Sequence, residues 1–196
     1  MAHACFFVAV NKEFYMPQSK FQKAMYALIT VLFTVHAYVF YSLYVVNGQT
    51  LMNLTGAGSV LEAIKAMGGV YILGANRPIW AVVVIEFILA YSLELLMGSP
   101  CSFKLAVMNF DPQKTNPVLF ETAVISATAA IMCPAMSLLA AFLYYPYYNG
   151  FNILTLSANW IKLVCLNFPF ALLSQLFFIQ PLVRTIFKKV VSRTNR

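Results

Sequence analysis

Glu86 and Glu94 are the residues from which chemistry is most directly argued, because each lies inside an otherwise apolar stretch. A charged side chain at mid-bilayer costs about 2.5–3.5 kcal/mol on insertion scales, so two unpaired carboxylates in one span would cost roughly 5–7 kcal/mol. Such groups protonate, pair or face water instead. Glu86, Ala90 and Glu94 are spaced four apart, which puts them on one helix face spread over roughly 80°. Asn167, Ala171, Ser174 and Gln175 make an equivalent stripe later in the chain. Both stripes are expected to turn toward a protein interior. His36 joins them by depth. With a rise of about 1.5 Å per residue, His36 and Glu86 each lie about 2 Å from the middle of their stretches toward one side, with Glu94 about 10 Å toward the other. His36, Glu86, Glu94, Asn167 and Gln175 therefore read as a short polar path, with His36 and Glu86 exchanging a proton or holding a cation. A lone His–Glu pair also serves as plain glue between helices.

The elements that must carry these residues follow from composition. The chain has 196 residues, of which 61% are apolar and only 10% charged, against roughly 25% charged in an average soluble domain. So few charges cannot cover that much apolar surface in water, which excludes a soluble fold, a disordered chain and a disulfide scaffold. Spanning a bilayer takes roughly 20 mostly apolar residues in a helix. Residues 24–46, 78–97, 123–145 and 160–183 meet this requirement. The expected fold is an all-α integral membrane protein with four transmembrane helices.

Basic residues set the expected direction. Lys12, Lys20, Lys23, Lys104, Lys114, Arg184, Lys188, Lys189, Arg193 and Arg196 fall on one side, and only Lys65, Arg77 and Lys162 on the other. The positive-inside rule then puts both termini in the cytoplasm of a multi-pass protein of the inner (plasma) membrane. The net charge of +7 orients the chain and meets anionic lipid at the cytoplasmic face. A nucleic-acid partner is not expected, because no basic module stands apart from the spans. The apolar opening MAHACFFVAV is too short to span and lacks the order of a signal peptide; it reads as an interfacial segment or an extension upstream of a second start at Met16. Residues 59–67 predict a short amphipathic helix in the long loop between the first two spans.

The chain repeats itself. Phe21 and Phe120 open matching segments, FQKA and FETA. Spans two and four share a pattern: Glu86, Phe87, Ala90, Glu94 and Pro100 match Asn167, Phe168, Ala171, Gln175 and Pro181. Each half reads as a helical hairpin of the same topology, a parallel repeat about an axis along the membrane normal. The expected architecture is a four-helix bundle of two hairpins, with an extension at 1–20, a first unit at 21–110, and a second at 111–196 that ends in a basic tail. The unit, with MPQSKFQ before span one and NFPFALLSQLFFIQPLVRTIF near the end, resembles a bacterial family of small multi-pass membrane proteins catalogued as a domain of unknown function. In that family a two-helix unit often occurs twice. The resemblance covers residues 16–189, and its signature runs from Asn167-Phe168-Pro169 to Pro181-Leu182-Val183-Arg184. The first half departs from it by carrying Glu86 and Glu94 where the second has amides. The resemblance implies a fold and a location, and no reaction, substrate or cofactor.

Pro134 and Pro169 sit near mid-membrane, where each removes a backbone donor and kinks its helix. Such kinks line cavities or are tolerated as packing. Ser126, Ala130, Pro134, Ser137 and Ala141 form a small-residue stripe expected to let helices approach closely. The cysteines Cys5, Cys101, Cys133 and Cys165 contain no CxxC pair and are expected as free thiols. No metal or cofactor is expected, and no nucleophile–base pair can be assembled, so the chain does not read as an enzyme. Two functions fit. The sequence leans toward a non-catalytic membrane subunit that packs against a partner or a second copy. The other is a small transporter or channel-like protein for protons, cations or a small solute, using Glu86, Glu94 and His36.

Overall fold

The computed structural model describes residues 19–194, with side chains described through residue 190. The extension at 1–18, with His3, Cys5 and Lys12, lies outside the described residues, as do the Arg193 side chain and Arg196. Among the described residues, four helical stretches are long and apolar enough to cross a membrane: Lys20–Val46, Ile79–Asn109, Pro117–Leu143 and Ile153–Val190. The protein is thus all-α across its spans.

Span one is α1 (Lys20–Phe40) followed by a π turn, Tyr41–Val46. Its start is fixed by a capping box: the Ser19 hydroxyl accepts from the Gln22 amide at 3.0 Å, and the Gln22 side chain accepts from the Ser19 amide at 3.3 Å. Two short helices, α2 (Gly48–Thr55) and α3 (Val60–Ala66), follow. Helix α3 matches the expected amphipathic segment, and the Ser59 hydroxyl caps it through the Glu62 amide. Span two is α4 (Ile79–Leu93), a π turn (Glu94–Gly98) and α5 (Ser99–Asn109). Span three is α6 (Pro117–Leu143). Span four is α7 (Ile153–Ser174), a π turn (Gln175–Ile179) and α8 (Gln180–Thr194).

Spans two and four run beyond their expected ends, and span four also begins earlier than expected, at Ile153. A proline such as Pro100 or Pro181 would ordinarily break a helix. Each instead follows a π turn and occupies the second position of the next helix. The residue before each proline reaches back five positions, Ser99 N–H to the Glu94 carbonyl and Gln180 N–H to the Gln175 carbonyl. The longer loop absorbs the proline and the helix continues.

Span one packs on span two, α5 on span three, span three on span four, and α8 back on span one. The loop between the first two spans closes with a small hairpin that the sequence reading did not foresee, β1 (Val70–Ile72) paired antiparallel with β2 (Ala75–Arg77). Leu73 and Gly74, both at positive φ, make its two-residue turn. The Leu73 amide donates to the Leu143 carbonyl at 2.8 Å, tying the hairpin to the end of span three.

The row buried along span three is Ile125, Ala129, Cys133, Ser137 and Ala141. It lies one residue earlier than the expected stripe at its first three positions, where Ala130 faces outward. Large apolar side chains such as Trp80, Leu96 and Phe178 cover the outside, as a lipid-facing surface requires.

Gly69 opens the hairpin at φ 125°, and a Cβ there would overlap the Arg77 carbonyl group. Gly69→Ala is expected to cost about 1–3 kcal/mol. A thermal melt in detergent checks this, and an unchanged melting temperature would contradict it.

Candidate functional site

Between the four spans lies a cavity of about 1540 Å³. It runs from Lys23 and Lys188, at the end nearer the termini, to Asn47 and Lys162 at the opposite end. Its walls are mainly apolar, and the polar groups on them fall at a few levels.

Glu86 and Glu94 both line the cavity, because the face they share on α4 is the one turned inward with Val82 and Ala90. A Glu86 carboxylate oxygen accepts a short hydrogen bond from the Tyr144 hydroxyl, which reaches in from the end of span three. Glu94 opens the π turn of span two and is held within it. The Ser99 hydroxyl donates to its carboxylate at 2.6 Å. The carboxyl folds over Gly98, where a Cβ would collide with it and come within 2.8 Å of the Met132 sulfur. Glycine is therefore the residue that leaves room for this carboxyl.

Gln175 opens the matching π turn of span four and also lines the cavity. Its amide donates to the Thr34 hydroxyl at 2.8 Å and accepts from the Gln180 amide at 3.3 Å. The Gln180 oxygen in turn accepts from the Tyr26 hydroxyl at 2.6 Å. A side-chain relay thus runs from Tyr26 through both glutamines to Thr34, joining spans one and four. The two π turns each pack against both span one and span three. The bundle is drawn together at that level, with a carboxyl on one side and an amide on the other.

Asn167 donates to the Ser137 hydroxyl at 3.3 Å. Beside it Pro169 interrupts the backbone ladder of α7, and two tyrosines of span one reach its carbonyls: Tyr41 donates to the Leu166 oxygen at 3.0 Å and Tyr38 to that of Asn167 at 3.5 Å. The Tyr41 ring stacks on Phe170, with centroids 4.1 Å apart. Pro134 lies inside α6, and its carbonyl accepts from the Trp160 indole N–H at 2.9 Å. Carbonyls at or near both prolines thus join helices.

His36 stands apart. It is exposed, its Nδ1 contacts the Leu32 carbonyl at 2.7 Å, and it does not line the cavity. The expected contact with Glu86 is not made. The two residues agree in depth but not in direction. The inward row of α1 runs through Ala27, Val31 and Val35, and His36 lies about 100° round the helix from Val35. Of Met132, Cys133, Met136 and His36, the first three line the cavity. Among the described residues, no three His, Cys, Asp or Glu side chains converge as metal ligands.

Sequence reasoning missed three partners. Tyr144 falls within the third apolar run and Ser99 just beyond the second, and neither carries a sequence signal of its own as a partner. Glu121 was noted only inside FETA, yet it forms an ion pair with Arg184 across spans three and four. The available signal was depth, since both lie near the same end of their spans.

The profile of a family described as "Domain of unknown function (DUF2798)" matches residues 120–191, which covers nearly all of spans three and four. Among curated proteins and solved structures, none matches the chain.

The Tyr144–Glu86 bond can be measured directly. A double-mutant cycle of Tyr144→Phe and Glu86→Gln is expected to give a coupling energy of about 1–3 kcal/mol. Unfolding of the four variants in detergent reads it, and a value near zero would contradict the pairing.

Proposed function

We propose that the protein is a small transporter or channel-like protein that carries protons or a small solute through its central cavity. Glu86 and Glu94 take up and release protons, and Asn167 and Gln175 offer hydrogen bonds from the facing helix. The observation that carries this reading is the cavity itself, which reaches both carboxyls and is lined by residues at both ends of the bundle. Ionisable groups inside a membrane mark pathways and relays when they face an interior space. Lys23 and Lys188 at one mouth disfavour a metal cation there, most of all a divalent one. His36 has no part in the path. A non-catalytic packing subunit calls instead for carboxyls closed in a dry interior, and the cavity supports that reading less.

The arrangement we propose is a parallel repeat of two helical hairpins, residues 21–110 and 111–196. Its support is that matched residues, Glu94 and Gln175, each open a π turn that precedes a proline. Both termini lie in the cytoplasm of a plasma-membrane protein, by the distribution of basic residues. A second copy or another membrane protein is a fitting partner for four spans with so much exposed apolar surface.

Purified protein in liposomes is expected to conduct protons down an imposed gradient, read by an internal pH dye. Glu86→Gln and Glu94→Gln are expected to reduce the flux to that of empty vesicles. Flux that persists in Glu86→Gln would remove the proposed path. For topology, single cysteines replace Lys65 and Lys114 in a background without the native thiols. An impermeant maleimide on intact cells is expected to label position 65 and not 114, and the opposite pattern would invert the orientation.

A further inference from the structure

The end of the cavity nearer the termini has a chemistry of its own. Lys23 on α1 and Arg184, Thr185 and Lys188 on α8 line it together. Tyr26 holds the two helices in place there, through its bond to Gln180 and an edge contact with the Phe187 ring, centroids 5.3 Å apart. Among the described residues, the acidic side chain that lines this end of the cavity is Glu121, and Arg184 engages it. Lys23 and Lys188 therefore give the mouth a positive rim. Both are exposed and stand where the apolar runs stop, just before Ala24 and a little beyond Val183, the level at which lipid phosphates lie. Immediately inside, the apolar side chains of Ala27, Val31, Val124, Ile125, Leu176 and Phe177 line the walls, interspersed with Thr30, Thr128 and the Gln175–Gln180 pair.

We propose that this mouth is a binding site for one anionic phospholipid, its phosphate between Lys23 and Lys188 and an acyl chain along the apolar walls. A basic pocket between transmembrane helices is the established setting for anionic headgroups. A free phosphate offers the same charge to the rim, but gains nothing from the apolar side chains inside. A lipid uses both parts of the site. This inference does not depend on transport, because binding is read without any flux.

The test uses the full chain in nanodiscs holding equal amounts of phosphatidylglycerol and phosphatidylcholine, with native mass spectrometry counting the lipid that stays bound. Wild type is expected to retain phosphatidylglycerol preferentially. Lys23→Gln with Lys188→Gln is expected to weaken that retention about thirtyfold. Lys20→Gln with Lys104→Gln removes the same charge from exposed lysines that do not line the cavity, and is expected to leave retention unchanged. Three results would each overturn the proposal. Wild type retains both lipids equally; the Lys20/Lys104 pair falls as far as the Lys23/Lys188 pair; or soluble glycerol phosphate displaces the lipid as effectively as added phosphatidylglycerol.

Discussion

Inside a bilayer no water is at hand to satisfy a polar group, so each must find a partner in the protein or face a shielded space. The rest of this structure follows from that constraint. Glu86 takes the Tyr144 hydroxyl, Glu94 takes Ser99, Gln175 takes Thr34, and Asn167 takes Ser137. Each partner but Ser99 comes from a neighbouring span, so satisfying these groups also sets which helices meet and at what rotation. The mid-span prolines obey the same rule. Carbonyls around Pro169 and Pro134 receive tyrosine hydroxyls and an indole N–H from adjacent helices. Polar groups hold the bundle together here, because apolar contact between helices gains little over contact with lipid.

That logic leaves the centre of the bundle loosely filled. The described core is correspondingly small and split. One cluster gathers Val31, Val35 and Ala90 on spans one and two, and another Ala141, Tyr145 and Leu156 near the far end of spans three and four. The cavity lies along and between them. Two carboxyls and two amides then share an interior that apolar packing has not closed, the juxtaposition on which the proposed passage rests.

The four spans were legible in the sequence, because apolar runs of sufficient length admit no other solution in such a composition. So was the inward face of span two, since Glu86, Ala90 and Glu94 repeat at helical spacing. The helix ends were not. Span two was expected to end before Pro100, a usual helix breaker, and the wider turn before it lets the helix proceed to Asn109. The placement of His36 failed for a different reason: rise along an axis is readable from counting, whereas rotation about it depends on which row packs inward. Tyr144 was invisible as a partner, because its reach into the bundle depends on where α6 ends. The short hairpin escaped because its strands are three residues each, too brief for alternation to register.

A π turn contains one residue more than the α-helix it interrupts. Without that spare residue, all that follows would swing round by about 100° and slide by about 1.5 Å. In span four the part that follows bears Arg184 and Lys188. Their convergence with Lys23 is thus owed to an insertion several residues upstream as much as to their own identity. A chain of the same composition, shorter by one position between Gln175 and Ile179, would display that positive charge on a different flank.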